Sequence, residues 1–162
     1  MKIAVYPGTF DPLTNGHMDI LHRACGLFDQ VVVAVLTNTS KTPFFSVMER
    51  LRQIDEAVLE AGFTNVTSSQ FEGLLVDFTR NIGAGYIIRG LRAVMDFEYE
   101  LQIDAMNRKL RPDVDTVYFM ADPEHMHISS SLVREIGSLG GDIEGLVPDS
   151  IKNSVKERLN KQ

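Results

Sequence analysis

Three short stretches of the 162-residue chain hold residue types that could work together on a phosphate. The first is YPGTFDPLTNGH, Tyr6 to His17, where Pro7 and Gly8 end a strand and Gly16-His17 begin a helix. Backbone N–H groups at a helix start point outward and favour a negative ligand. Thr9 adds a hydroxyl, His17 sets an imidazole in the first turn, and Gly16 lets a ligand approach the backbone closely. Taken alone, a Gly-His pair reads better as an ordinary strand-to-helix loop with a surface histidine.

The second stretch, Ile128 to Arg134 (ISSSLVR), sets the hydroxyls of Ser129, Ser130 and Ser131 at another helix start. They could donate to phosphate oxygens beside the backbone, although such serines are also plain N-caps and turns. The third is Ile87 to Glu100 (IIRGLRAVMDFEYE). Here Arg89 leaves a buried strand, Gly90 is expected to turn the chain, and Arg92 follows. Two guanidiniums converging on one crevice suit phosphate, while surface charges near Asp96 and Glu98 are the plain alternative. Lys41, in SKTPF, is a loop lysine and carries little weight alone.

The elements that must position these residues alternate along the chain. Strands are expected at Lys2 to Tyr6, Val31 to Leu36, Asn65 to Ser69, Tyr86 to Ile88 and Thr116 to Met120. Helices are expected from Asn15-Gly16, after the Ser46/Glu49 capping box, over Leu74 to Ile82, over Val94 to Lys109, and from Ser129 to near Gly137. A last amphipathic helix aligns Ile151, Val155 and Leu159. This pattern predicts an α/β fold: one domain over residues 1–162, a doubly wound, Rossmann-like parallel sheet with helices on both faces and a C-terminal helix.

Such sheets bind ligands beyond the carboxyl ends of their strands. Thr9 and His17 follow the first expected strand, Lys41 the second, Leu75 the third, Arg89 the fourth and Ser129 to Ser131 the fifth. Leu74-Leu75, with the helical series Tyr99, Ile103 and Asn107, could wall a groove for a long ligand of amide and alkyl groups.

Composition narrows the class. The chain is 44% hydrophobic, enough for a proper core, with a formal net charge of −6 that argues against coating nucleic acid or anionic lipid. No run is long and apolar enough to span a bilayer, and MKIAVYPG lacks the apolar stretch of a signal peptide. The single cysteine, Cys25, fits a reducing cytoplasm and reads as a small core residue.

TNGH resembles the (H/T)-x-G-H signature of the nucleotidyltransferase superfamily, and ISSS-x-x-R resembles its second signature. Nearly the whole chain resembles the phosphopantetheine adenylyltransferase family, through YPGTFDPLTNGH, RGLRAV-x-DFEYE, MNR-x-L at Met106 to Leu110, and ISSS-L-V. The resemblance implies transfer of the adenylyl group of ATP to 4′-phosphopantetheine, releasing pyrophosphate, with His17 stabilising the transition state. It implies ATP binding by Thr9, Phe10, His17, Gly90, Leu91, Arg92, Glu100, His125, Met126, His127, Ile128, Ser129, Ser130 and Ser131. The substrate would meet Thr9, Lys41, Leu75 and Arg89. Mg2+ would be carried with ATP, and a homohexamer and feedback by coenzyme A are implied as well.

His125-Met126-His127 departs from the family, which usually has an aromatic and a small polar residue there. His-x-His suggests a metal, yet no cysteine or carboxylate cluster accompanies it, so no protein metal site is expected. The alternatives are another small nucleotidyltransferase, such as a cytidylyltransferase or a nicotinamide-mononucleotide adenylyltransferase, or a nucleotide-binding module without catalysis.

Overall fold

The structure is a computed structural model that describes residues 1–37 and 42–160; Lys41 lies outside the described residues. Its elements run β1 (Ile3–Gly8), α1 (Asn15–Cys25), β2 (Gln30–Leu36), α2 (Val47–Glu60), β3 (Val66–Phe71), α3 (Leu75–Asn81), β4 (Tyr86–Leu91), α4 (Val94–Leu110), β5 (Asp115–Met120), α5 (Ser130–Ser138) and α6 (Asp149–Leu159). The five strands form one parallel sheet in the order β3-β2-β1-β4-β5. The chain winds outward from β1 through β2 and β3, then returns to the other side for β4 and β5. That reversal opens a crevice at the carboxyl ends of β1 and β4.

Residues Val31 to Val35 of β2 are all buried, as a strand covered on both faces requires. On one face Ala4, Tyr6, Val31, Val33, Val35 and Ile88 meet α1, α2, α5 and α6. On the other, Val5, Ala34 and Phe71 pack with Leu75 and Phe78 of α3. Cys25 is part of the first core's margin, and burial raises its thiol pKa, so it stays protonated and inert. Ser46 caps α2 in the expected reciprocal box with Glu49, and Gly62 follows the helix end at φ 69°. Among the described residues no helix is long and apolar enough to cross a membrane.

Two expectations about strand ends need correction. β1 runs on through Pro7 and Gly8, which sit opposite Ala34 and Val35. β4 continues through Arg89, Gly90 and Leu91, in register with Tyr118, Phe119 and Met120, so Gly90 does not turn the chain. Gly90 instead leaves room for a close neighbour: a Cβ there would meet Cδ1 of Ile20 from α1, which would have to shift. Each extension carries the strand backbone into the crevice.

α4 also differs from its sequence reading. Glu100 is its only buried residue among those whose burial is described, while Tyr99 is 63% exposed. Apolar and polar residues alternate around this helix without one dominant face, so periodicity alone gave no reliable orientation.

The joint between α2 and α6 tests the packing directly, because Ile54, Ile151 and Val155 are fully buried. Ile151→Ala should lower unfolding free energy in urea by about 2–5 kcal/mol, whereas Leu59→Ala on the exposed face should stay within about 0.5 kcal/mol.

Candidate active site

A cleft of about 580 Å³ occupies the crevice at the carboxyl ends of β1 and β4. His17 is on its wall, and the sequence around it fixes the ring tightly. Thr14 is the N-cap of α1 and His17 is its third helical residue, the position that glutamate or glutamine takes in an ordinary capping box. The Thr14 N–H donates to Nδ1 of His17 at 3.0 Å, and the His17 N–H donates to Oγ1 of Thr14 at 3.3 Å. Because Nδ1 accepts a backbone proton, the neutral ring must carry its own proton on Nε2. Nε2–H has no protein acceptor among the described residues and is the ring's free donor at the cleft.

The ring's neighbours keep it neutral. Phe10 packs edge-on at 5.0 Å between centroids and Tyr6 at 6.4 Å. Burial, with a smaller contribution from the Arg92 guanidinium, lowers the His17 pKa to about 4. Burial likewise pushes the Tyr6 phenol far up, so it remains a neutral hydroxyl.

The β1–α1 loop that carries Thr9 and Phe10 is held by side chains from other elements. Phe10 has φ 47°, and its ring folds back so closely over Gly8 that a Cβ there would lie 2.9 Å from the ring. Arg50 of α2 donates to the Thr9 carbonyl at 2.7 Å, Arg134 of α5 to the Asp11 carbonyl, and Ser130 to the Pro12 carbonyl at 2.7 Å. The Asp11 carboxylate accepts the N–H groups of Phe44 and Phe45 at 2.8 Å each.

The serine run therefore divides its work. Ser130 spends its proton on Pro12. Ser129 is the N-cap of α5 and accepts from the Leu132 N–H at 3.1 Å, while Ser131 accepts from Arg134 at 3.4 Å. Ser129 and Ser131 thus keep hydroxyl protons for a ligand, beside the unpaired N–H groups of a helix start.

At the end of β4, Arg89 makes a two-pronged ion pair with Glu100; its Nε is 2.6 Å from Oε2, and its Nη2 meets Oε1. The sequence reading divided these two residues between different ligands, yet each is the other's first partner. Arg92 is held by Asp96, through its backbone N–H at 3.0 Å and its Nε at 3.4 Å. The fork geometry orients Arg89, whereas the half-exposed Arg92 side chain is held, among the described residues, through its Nε alone.

Of the residues singled out in the sequence, the cleft brings together Thr9, Phe10, His17, Arg89, Gly90, Arg92, Glu100, His125, Ile128, Ser129, Ser130 and Ser131. Leu91 is buried in β4, and Met126 and His127 are exposed beyond the lining. Leu75 packs into the second core, and Tyr99, Ile103 and Asn107 do not reach the cleft, so the expected groove wall does not form from these residues. Tyr6, Asp11, Arg50 and Arg134 line the cleft without having been assigned a role from the sequence. Arg134 closes the ISSS-x-x-R motif, which was a usable signal; Arg50 lay inside an ordinary amphipathic helix and gave none. Among the described residues no group of three or more His, Cys, Asp or Glu is arranged to hold a metal ion.

Comparison with known proteins bears on this geometry. Residues 5–136 match the cytidylyltransferase-like family model. A phosphopantetheine adenylyltransferase of Oleidesulfovibrio alaskensis is 50% identical over 157 residues, covering 97% of this chain and 91% of the relative. One from Limosilactobacillus reuteri is 52% identical over 159 residues, covering 98% and 91%. A bifunctional NMN adenylyltransferase/ADP ribose pyrophosphatase from Francisella tularensis superposes with a TM-score of 0.75 at 16% identity, over 99% of this chain and 50% of that one. At that identity the last likeness speaks for the fold alone.

The partly buried imidazole has a consequence for acid stability. Folding favours neutral His17, so between its ordinary 6.5 and about 4 the unfolded chain binds the extra proton. The ring's contribution should be intact above pH 6.5 and be lost as the pH falls toward 4. Denaturation midpoints at pH 7, 6, 5 and 4.5 should fall more steeply for the wild type than for His17→Gln. Parallel profiles would mean that His17 titrates normally.

Proposed function

The chain belongs to the phosphopantetheine adenylyltransferases, within the cytidylyltransferase-like family, and on that premise we propose how its cleft transfers the adenylyl group of ATP to 4′-phosphopantetheine. A phosphate oxygen of phosphopantetheine attacks the α-phosphorus of ATP in line. A new P–O bond forms, the bond to the β-phosphate bridge breaks, and pyrophosphate leaves with its electron pair. Dephospho-coenzyme A is the other product. The nucleophile is already an anion, so the protein needs neither a nucleophile of its own nor a strong base. Its work is positioning and neutralising charge as the pentacovalent phosphorus forms.

The observation that carries this reading is the Thr14–His17 cap, which leaves a neutral Nε2–H donor at the cleft wall. A neutral donor can hydrogen-bond a phosphoryl oxygen whose charge grows in the transition state. The starts of α1 and α5, with the protons of Ser129 and Ser131, would hold the rest of the triphosphate. ATP would also meet Thr9, Phe10, Gly90, Arg92, Glu100, His125 and Ile128, all at the cleft. Thr9 and Arg89 would face the acceptor, joined by Lys41. Mg2+ would enter as part of the nucleotide substrate, bound to its phosphates.

Two further expectations belong to the same proposal. Exposed Phe97, Tyr99, Leu101, Met106 and Leu110 on α4 support self-association, with a homohexamer as the assembly implied by resemblance. The lone, partly buried Cys25 supports a reducing cytoplasmic setting.

Pyrophosphate release should be rapid with ATP and 4′-phosphopantetheine, and slight with CTP as donor or with nicotinamide mononucleotide or glycerol 3-phosphate as acceptor. His17→Ala should lower kcat by about two to three orders of magnitude while ATP binding changes far less. Faster turnover with another acceptor would overturn the substrate assignment, and a kcat within a few-fold of wild type would overturn the role of His17.

A further inference from the structure

Arg50 is a charged residue in a place that helical spacing reserves for the core. It lies on α2 between Val47 and Ile54, is only 3% exposed, and lines the cleft. A buried cation is costly unless it is well partnered. The hydrogen-bond partners of the Arg50 side chain among the described residues are two backbone carbonyls, one across the seam in the β1–α1 loop and one at the start of its own helix. Its Nη1 donates to Thr9 in the β1–α1 loop at 2.7 Å, and its Nε donates to Ser46, the N-cap of its own helix, at 3.4 Å.

The Asp11 carboxylate crosses the same seam in the other direction, taking the N–H groups of Phe44 and Phe45. These contacts sit directly after the segment that contains Lys41, and Thr42 and Pro43 from that exit also line the cleft. The two segments joined are those that hold Thr9 and Lys41. The paired strands themselves finish before these segments, β1 at Gly8 and β2 at Leu36.

We propose that Arg50 is a positioning residue for the acceptor: by binding the carbonyls of Thr9 and Ser46 at once, it makes the β1–α1 loop and the exit of the Lys41 segment a single rigid unit. The inference rests on the adenylyl-transfer reading above. The nucleotide has independent anchors at the start of α5, at Gly90 and at Arg92, whereas two of the acceptor's three proposed contacts, Thr9 and Lys41, belong to the segments that meet at the seam and only Arg89 does not. Loss of Arg50 should therefore penalise the acceptor more than ATP. An alkylammonium has no planar fork for two carbonyls, so lysine should restore the function only in part.

The test is steady-state pyrophosphate release by wild type, Arg50→Met and Arg50→Lys, with each substrate varied in turn and folding checked by circular dichroism. Arg50→Met keeps the aliphatic stem and removes every donor. It should raise the KM for 4′-phosphopantetheine about tenfold or more, in line with losing hydrogen bonds from a charged group. The KM for ATP should rise at least fivefold less, and Arg50→Lys should fall between Met and wild type. Unchanged acceptor KM and kcat in both variants would overturn the proposal. So would equal rises for the two substrates, or failure of both variants to fold, since either would make Arg50 a general structural element. A wild-type enzyme that releases no pyrophosphate from this pair would sink the adenylyl-transfer reading and this inference with it, an outcome visible before any variant is measured.

Discussion

The hydrogen bond from the Thr14 N–H to Nδ1 of His17 is the contact on which the proposed chemistry of the cleft depends. One bond closes the α1 capping box, orients the imidazole and decides which ring nitrogen is protonated. A glutamate at the same position would cap the helix as well, but would put a negative charge where the proposed mechanism sets phosphates. Histidine, held neutral by burial, caps the helix without that penalty and leaves one donor over.

Around that contact, the structure is arranged to bring backbones unusually close. Ile20 of α1 packs directly on the backbone of Gly90, and the Phe10 ring on that of Gly8, where a side chain would force each to shift. The carbonyls of Thr9, Asp11 and Pro12 are each taken by a side chain from α2 or α5, so two helices fix a loop with no regular structure of its own. A loop tied in this way is preorganised, which is what charge stabilisation at a phosphorus centre requires.

The fold was legible because its strands and helices differ plainly in period. The Val31–Val35 run, the Ser46/Glu49 box and the Ile151, Val155, Leu159 stripe all fell where the structure has them. The two glycyl strand ends were not, since Pro7-Gly8 and Gly90 look like turn signals; here parallel pairing overrode local preference. The gathering of the site was legible where motif residues sit at the ends of strands and the starts of helices, as for His17 and the serines, all of which line the cleft. It was not legible where the role depends on distant partners: nothing local marks Arg50 as the donor to Thr9, or Glu100 as the first partner of Arg89. α4 misled for a third reason, because its exposed apolar residues resemble a ligand-facing wall in sequence.

The most direct measurement of the central claim is a long-range 1H–15N correlation spectrum of histidine-labelled protein at pH 7, with His17 assigned by comparison with His17→Gln. The His17 ring should show a protonated Nε2 and an unprotonated, hydrogen-bond-accepting Nδ1. A ring protonated at Nδ1, or at both nitrogens, would contradict the capping geometry and remove the neutral donor from which the mechanism is built.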